Sequence, residues 1–266
     1  MASFPTVLGT ATSTRSTGTD HVVTMPGGIV AGEILLVFAS FEGTTGITVP
    51  GDWTVQSNTL NAPGIRLLVV SKIAAGSDTL TLTSAASTSS AHAAYRAFSN
   101  DNTLRITTAS GTSTTPNPPS LNNGASQKFL WFAAFASESS SATVTSYPAN
   151  YTTNQLTAHR VDTLLAVATR NNEIGTEDPG VFTIPASDRW ACATVSIDEQ
   201  ALVNGNFPIV TSVSDIFAPA IDFAGNATFP LLVSNSSFFT PSTKAATKAN
   251  WVNEPKPSTT WINEQR

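Results

Sequence analysis

Apolar residues come in short runs along this chain, separated by polar punctuation. The runs 33-EILLVFASF-41, 45-TGITVPGDWTVQS-57, 65-IRLLVVSKI-73 and 79-TLTLTSA-85 are rich in Val, Ile, Thr and Phe. Gly, Pro, Asn and Asp bound them, which is the signal of β-strands ended by turns. No window of about a dozen residues keeps a 3.6-residue period without a Gly, Pro or Ser/Thr interruption. The pattern predicts an almost entirely β chain.

The same order of blocks occurs twice. In the first half 38-FASF-41 is followed by 50-PGDWT-54, 66-RLLVVSK-72 and 91-AHAAYRAF-98. In the second, 132-FAAF-135 is followed by 148-PANYT-152, 163-TLLAVATR-170 and 189-RWACATVSI-197. The offsets stay between about 94 and 98 residues, a spacing that points to an internal repeat. Pro50 matches Pro148, Trp53 matches Tyr151, and Leu67-Leu68 matches Leu164-Leu165. About four strands per half would leave one apolar face open, and two halves can close those faces on each other. The expected fold over residues 1–200 is therefore an antiparallel, jelly-roll-like β-sandwich. Its two pseudo-repeated halves span about residues 20–100 and 125–200. The Pro/Ser/Thr/Asn-rich 109-ASGTSTTPNPPSLNNGAS-126 joins them as a long surface loop or an extended edge segment.

Beyond residue 200 the pattern changes. Residues 201–240 contain 208-PIVTSV-213, 217-FAPAIDF-223 and 229-FPLLVS-234, expected to form a small β element or added strands. Residues 241–266 bring Lys and Glu, with Pro241, Pro255 and Pro257 opposing regular structure. This arm reads as extended, with too little apolar surface to fold alone. It nevertheless repeats an aromatic peptide, 251-WVNEPK-256 and 261-WINEQR-266. Trp251, Val252, Trp261 and Ile262 are the expected anchors of a segment that docks, in cis or on a neighbouring subunit.

Composition narrows the chemistry. The chain has 266 residues, 41% hydrophobic but only 12% charged, with a net charge of −5. Ser and Thr, about a quarter of the positions, supply the missing polarity and suit strands and turns. No basic patch is present, so a nucleic-acid partner is not expected. The N-terminal twenty residues carry neither a basic nor an apolar leader region, and the longest apolar runs are too short to span a bilayer. The expectation is a chain made in a cytoplasm without membrane insertion. The single cysteine, Cys192, lies in an apolar run and reads as a small buried hydrophobe.

An enzyme is not expected, nor is a cofactor. His21, His92 and His159 stand at no metal-ligand spacing. No nucleophile elbow, phosphate loop or dinucleotide fingerprint occurs. β-Sandwiches can host hydrolases that use paired Glu, and Glu42 and Glu138 fall at similar places in the two halves, yet each is more simply a solvated turn acid. Glu177, Asp178 and Asp188 lack the alternating pattern of a strong calcium loop. Trp53, Tyr151 and Trp190 are the candidates for stacking a glycan. The matched positions of Trp53 and Tyr151, each just after a Pro turn, suit a core plug more simply.

The order 25-MPGGIVAGEILLVFASF-41, 49-VPGDWTV-55 and 67-LLVVSKIAAGSDTLTLTS-84 resembles a β-sandwich family common in bacteriophage structural genes. Pro26, Gly32-Glu33, Pro50-Gly51-Asp52-Trp53, Lys72 and Gly76-Ser77-Asp78 carry the resemblance, with Asp52 standing between Gly51 and Trp53 as a departure. The tail units at a ten-residue step are similar to C-terminal repeats in phage virion and tail-associated proteins. The resemblance implies a virion location after synthesis in a bacterial host. It implies a structural role such as capsid decoration, tail or fibre, with other copies of the chain and other virion proteins as partners. A host-receptor or carbohydrate-binding module is the alternative it leaves open.

Overall fold

The computed structural model describes residues 3–99 and 101–199. Fifteen strands follow in chain order: β1 (Thr6–Arg15), β2 (Asp20–Val23), β3 (Ile34–Glu42), β4 (Ile47–Thr48), β5 (Thr54–Asn61), β6 (Ile65–Ile73), β7 (Leu80–Ser84), β8 (Ser90–Phe98), β9 (Leu104–Ser113), β10 (Leu121–Asn122), β11 (Phe129–Ser137), β12 (Thr153–Arg160), β13 (Thr163–Asn172), β14 (Thr176–Glu177) and β15 (Asp188–Asp198). The described residues are all-β, and every strand pair is antiparallel.

Two five-stranded sheets form a β-sandwich. Their orders are β1-β8-β3-β6-β5 and β9-β15-β11-β13-β12, the same order position for position. The central core lies between the sheets, where Ile34, Leu36, Phe38, Leu67 and Tyr95 meet Leu130, Phe132, Ala134, Leu165 and Val195. Phe132 sits 5.8 Å from Phe38 and 5.1 Å from Tyr95, ring centre to ring centre. The buried Tyr95 hydroxyl donates to the Asn154 carbonyl of the opposite sheet at 2.9 Å.

Each sheet also buries its outer face. Over the first sheet, the small sheet β2-β7-β4 covers Leu35, Val37, Phe41, Leu68 and Val70 with Val23, Leu80 and Leu82. Over the second, Leu121, Tyr151, Phe182 and Ile184 cover Phe129, Trp131, Phe135 and Leu164. Burial on both faces explains why the central strands read as unbroken apolar runs instead of alternating ones. The edge strands β1 and β9 are Thr- and Ser-rich and only half-buried.

The structure departs from the sequence reading in three places. Each half of the chain keeps to its own five-stranded sheet, so the jelly-roll-like exchange of strands between sheets is absent among the described residues. The segment 45–57 is not one strand, because a turn closed by the Trp53 amide on the Pro50 carbonyl (3.0 Å) divides β4 from β5. Of the two readings of residues 109–126, the start follows the extended edge segment and the rest is not a loose loop. These residues begin inside β9, bury Pro116 and Pro118, and cover the outer face through Leu121. The expected β element of 201–240 and the arm of 241–266 lie outside the described residues.

Candidate functional site

The three aromatic candidates are not available for stacking. Trp53 is 5% exposed, Tyr151 0% and Trp190 8%, so none presents a ring face to a ligand. This corrects the platform reading. The backbone explains it: Pro50 and Pro148 each accept the amide of the aromatic three residues on, at 3.0 and 3.1 Å, which turns both rings inward. Trp190 lies against Gly111 of the neighbouring β9, where a Cβ would stand 2.5 Å from the indole, and its Nε1–H donates to Ser113 Oγ at 3.0 Å.

Around Trp53 the motif residues form a clasp. Lys72 Nζ stands 6.0 Å from the Trp53 ring centre and 2.6 Å from carboxylate oxygens of both Asp52 and Asp78. Asp78 also accepts the amides of Ala75 and Gly76 at 2.7 and 3.1 Å. Burial alone would raise the Asp78 carboxyl, but Lys72 and these amides hold it below the usual carboxylate range. Trp53 Nε1–H donates to the Thr79 carbonyl. A second brace joins Glu33 to Arg96 at 3.4 Å, and Arg96 reaches on to the carbonyls of Gly27 and Leu8.

The second half has its own clasp at the matching places. The Arg170 guanidinium lies 5.7 Å from the Tyr151 ring centre and 3.2 Å from Glu177 Oε1. The Tyr151 hydroxyl donates to the same carboxylate at 3.2 Å. Glu177 is 1% exposed, and burial pushes its carboxyl up despite Arg170. Burial beside this carboxylate also holds the Tyr151 phenol well above its ordinary value. In both halves an aromatic, a cation and a carboxylate tie the turn before an edge strand, β5 or β12, to the sheet. The cations had a signal in the sequence, since Lys72 and Arg170 end the matched Leu-Leu blocks. The carboxylate partners had none.

A buried polar network occupies the first half. His21 and His92 lie 6.4 Å apart, ring centre to ring centre, and both are fully buried. Ser84 Oγ donates to the Ala86 carbonyl (2.7 Å), so at 3.0 Å it accepts from His21 Nε2. His21 Nδ1 then accepts from Ser90 Oγ at 2.7 Å. His92 Nδ1 meets Ser13 Oγ at 3.0 Å, while its Nε2 has no hydrogen-bond partner. Burial lowers both imidazoles, and His92 falls to about 3. Both histidines are therefore neutral and structural at pH 7.

The open polar cleft is elsewhere, at one end of the second sheet. It encloses about 460 Å³ and is lined by Thr112, Glu138, Ser140, Asp162, Ser187, Asp188 and Arg189. Three structural positions converge there: the residue after β11, the β12–β13 turn and the start of β15. Arg189 holds Glu138 at 2.8 Å. A Cβ at Gly64 would overlap the Glu138 carboxylate, so the glycine of the β5–β6 turn leaves room for that carboxylate where it stands. Such a cleft can accept hydroxyl or cationic groups at Asp162 and Asp188. Of the other acidic candidates, Glu42 accepts from Ser89 Oγ at 2.9 Å, Glu177 is spent in its clasp, and Asp178 is exposed. Asp162 had no sequence signal, because a lone acid in a turn is ordinary. Among the described residues, no group of three His, Cys, Asp or Glu side chains could hold a metal ion.

The β12–β13 turn beside this cleft carries strain. Val161 has φ of 53°, a left-handed conformation that crowds a β-branched side chain. Replacing Val161 with glycine is expected to stabilise the fold by about 1 kcal/mol, read from urea unfolding. An unchanged or lower midpoint would show that the turn is not strained.

Trp251, Val252, Trp261 and Ile262, the expected docking anchors, lie outside the described residues. Cys192 is fully buried and its thiol is pushed well up by burial, leaving it unreactive. Comparison with protein-family models, with curated proteins and with solved structures finds no match.

Proposed function

We propose that this chain is a non-enzymatic structural component of a bacteriophage particle, of the decoration, tail or fibre type, built from one repeated unit. In this reading it acts by protein–protein contacts within a symmetric assembly. Its Trp-bearing segment 251–266 docks on a neighbouring subunit. The observation that carries the reading is the use made of the family-like motif. Glu33, Asp52, Trp53, Lys72 and Asp78 are all engaged in internal braces that hold turns to a sheet. The matching strand order and the paired clasps support descent of the two halves from one unit. Low charge and many hydroxyls suit a rigid particle surface, and spaced Trp anchors suit attachment between copies.

A second reading, recognition of a host-surface glycan, is favoured by the Glu138/Asp162/Asp188 cleft, whose oxygens can accept sugar hydroxyls. It would proceed through that cleft and not through ring stacking.

The first reading is tested by light scattering on the full chain and on a chain ending at Thr240. The full chain is expected to form a defined oligomer that the shortened chain does not. Equal masses for the two would remove the tail from the assembly role. A glycan array bound by the wild type but not by Asp162→Asn would favour the second reading.

A further inference from the structure

The four edges of the sandwich are not alike. β1, β5 and β12 each carry one residue more than the strand they pair with. The extra residues fall between Val7 and Gly9, between Val55 and Ser57, and between Thr153 and Leu156. Such bulges twist an edge and interrupt its row of free amides, which protects it from pairing with other chains. β9 has no bulge. Its residues Leu104–Ser113 run beside β15 without a register shift over ten residues.

The other usual protections are missing too. β9 contains neither lysine nor proline. Its one charged residue, Arg105, is held by the buried Asp198 at 3.2 Å. The ladder also fixes which groups face outward. The Glu138 amide donates to the Arg189 carbonyl at 3.1 Å, so Ser137 and Trp190 form a non-hydrogen-bonded pair. The Trp190 N–H and C=O therefore turn toward β9 and bond Gly111. By alternation, Leu104, Ile106, Thr108, Ser110 and Thr112 point their N–H and C=O away from β15. Among the described residues no strand pairs with that side.

We infer that β9 is the pairing edge for a second copy of this chain: two β9 strands join antiparallel about a two-fold axis, and two five-stranded sheets become one. A two-fold centred on Thr108 sets Ile106 opposite Ser110 and Arg105 opposite Gly111 of the other copy, so no like charges face each other. Thr is a good strand former, and Thr108, Ser110 and Thr112 are exposed, so no apolar patch is left uncovered by the free chain. A junction of one strand pair is small, and its affinity belongs to the micromolar class.

This deepens the assembly reading and rests on it, but it uses a different part of the chain. The test is sedimentation equilibrium of the full-length wild type, Thr108→Pro and Ser110→Lys, at up to about 100 µM. Proline at an outward-facing edge N–H and lysine on an exposed edge position both leave the fold intact, which thermal unfolding verifies. The wild type is expected to dimerise, and both variants to weaken association at least about tenfold. A monomeric wild type overturns the inference. So do variants that associate as well as the wild type. If removal of residues 241–266 abolishes association while the β9 variants keep it, the tail reading survives and the edge reading falls. The reverse result keeps the edge and removes the tail.

Discussion

Replacing Arg170 with methionine is expected to destabilise the protein by about 3 to 5 kcal/mol at pH 7. The change strands the Glu177 carboxylate, which is 1% exposed and loses the cation 3.2 Å away. Its second oxygen, Oε2, already lacks a hydrogen-bond partner. Only neutral donors, the Tyr151 hydroxyl and the Asn172 side chain, would remain to satisfy a buried charge. Burial already raises the Glu177 carboxyl above its unfolded value, and losing Arg170 raises it further. The folded variant then binds a proton more readily than the unfolded chain. Its penalty should therefore shrink as pH falls and the carboxyl becomes neutral. Urea unfolding of wild type, Arg170→Met and the double variant Arg170→Met/Glu177→Gln checks the argument. The double variant is expected to recover most of the loss, because it removes the charge along with its partner. If Arg170→Met unfolds at the wild-type midpoint, the clasp does not hold the outer core. The equivalent change Lys72→Met is expected to cost less. Asp78 keeps the Ala75 and Gly76 amides when the cation goes, and Glu177 has no such cradle.

Acidification from pH 6.5 to pH 5 is expected to cost about 2 kcal/mol through His92 alone. The sign follows from its lowered affinity for protons. Burial holds the folded imidazole at about 3, while the unfolded side chain titrates near the ordinary histidine value of 6.5. Between those values the unfolded chain binds the proton and the folded chain does not. Stability is therefore complete above pH 6.5 and is lost as pH falls below it. His21, lowered by burial and by Arg15, acts in the same direction. Asp198 and Glu177, both raised by burial, act in the opposite direction and offset part of the loss. The clean measurement is thus a difference. His92→Gln keeps a group able to bond Ser13 but cannot titrate, so its unfolding free energy should fall less steeply between pH 7 and 5. Parallel profiles for the two proteins would mean that His92 does not remain neutral in the fold.

The strands that carry the core were legible because their burial is legible. In 34–42, 65–73 and 129–137 both faces meet apolar layers, so almost every side chain is buried and the sequence shows an unbroken apolar run. β1 and β9 were not legible as strands. Their Thr and Ser residues lie at sheet edges, half-buried, and produce neither a continuous run nor a clear alternation of hydropathy. The turn prolines before Trp53 and Tyr151 marked places where an aromatic folds inward, but no local pattern indicated how deeply Trp190 is covered.

The candidate chemistry divides along the same line. Lys72 and Arg170 occupy matched positions that could be read from the chain. Their carboxylates, Asp78 and Glu177, are ordinary turn acids until the small covering layers press them under the aromatics. Glu138, Asp162 and Asp188 come from three separated segments and meet only because the end of β11, the β12–β13 turn and the start of β15 lie side by side in one sheet. His21 and His92 likewise meet through strands that are distant in the chain. By itself, then, the sequence determined the strand class and the central strands, because these depend on local period and on how much apolar surface each segment must bury. Strand order, the choice of edges, the assignment of each half to its own sheet and the partners of every buried charge were decided by the tertiary structure. These depend on which distant segments become neighbours, and antiparallel pairing leaves no mark of that choice in local hydropathy.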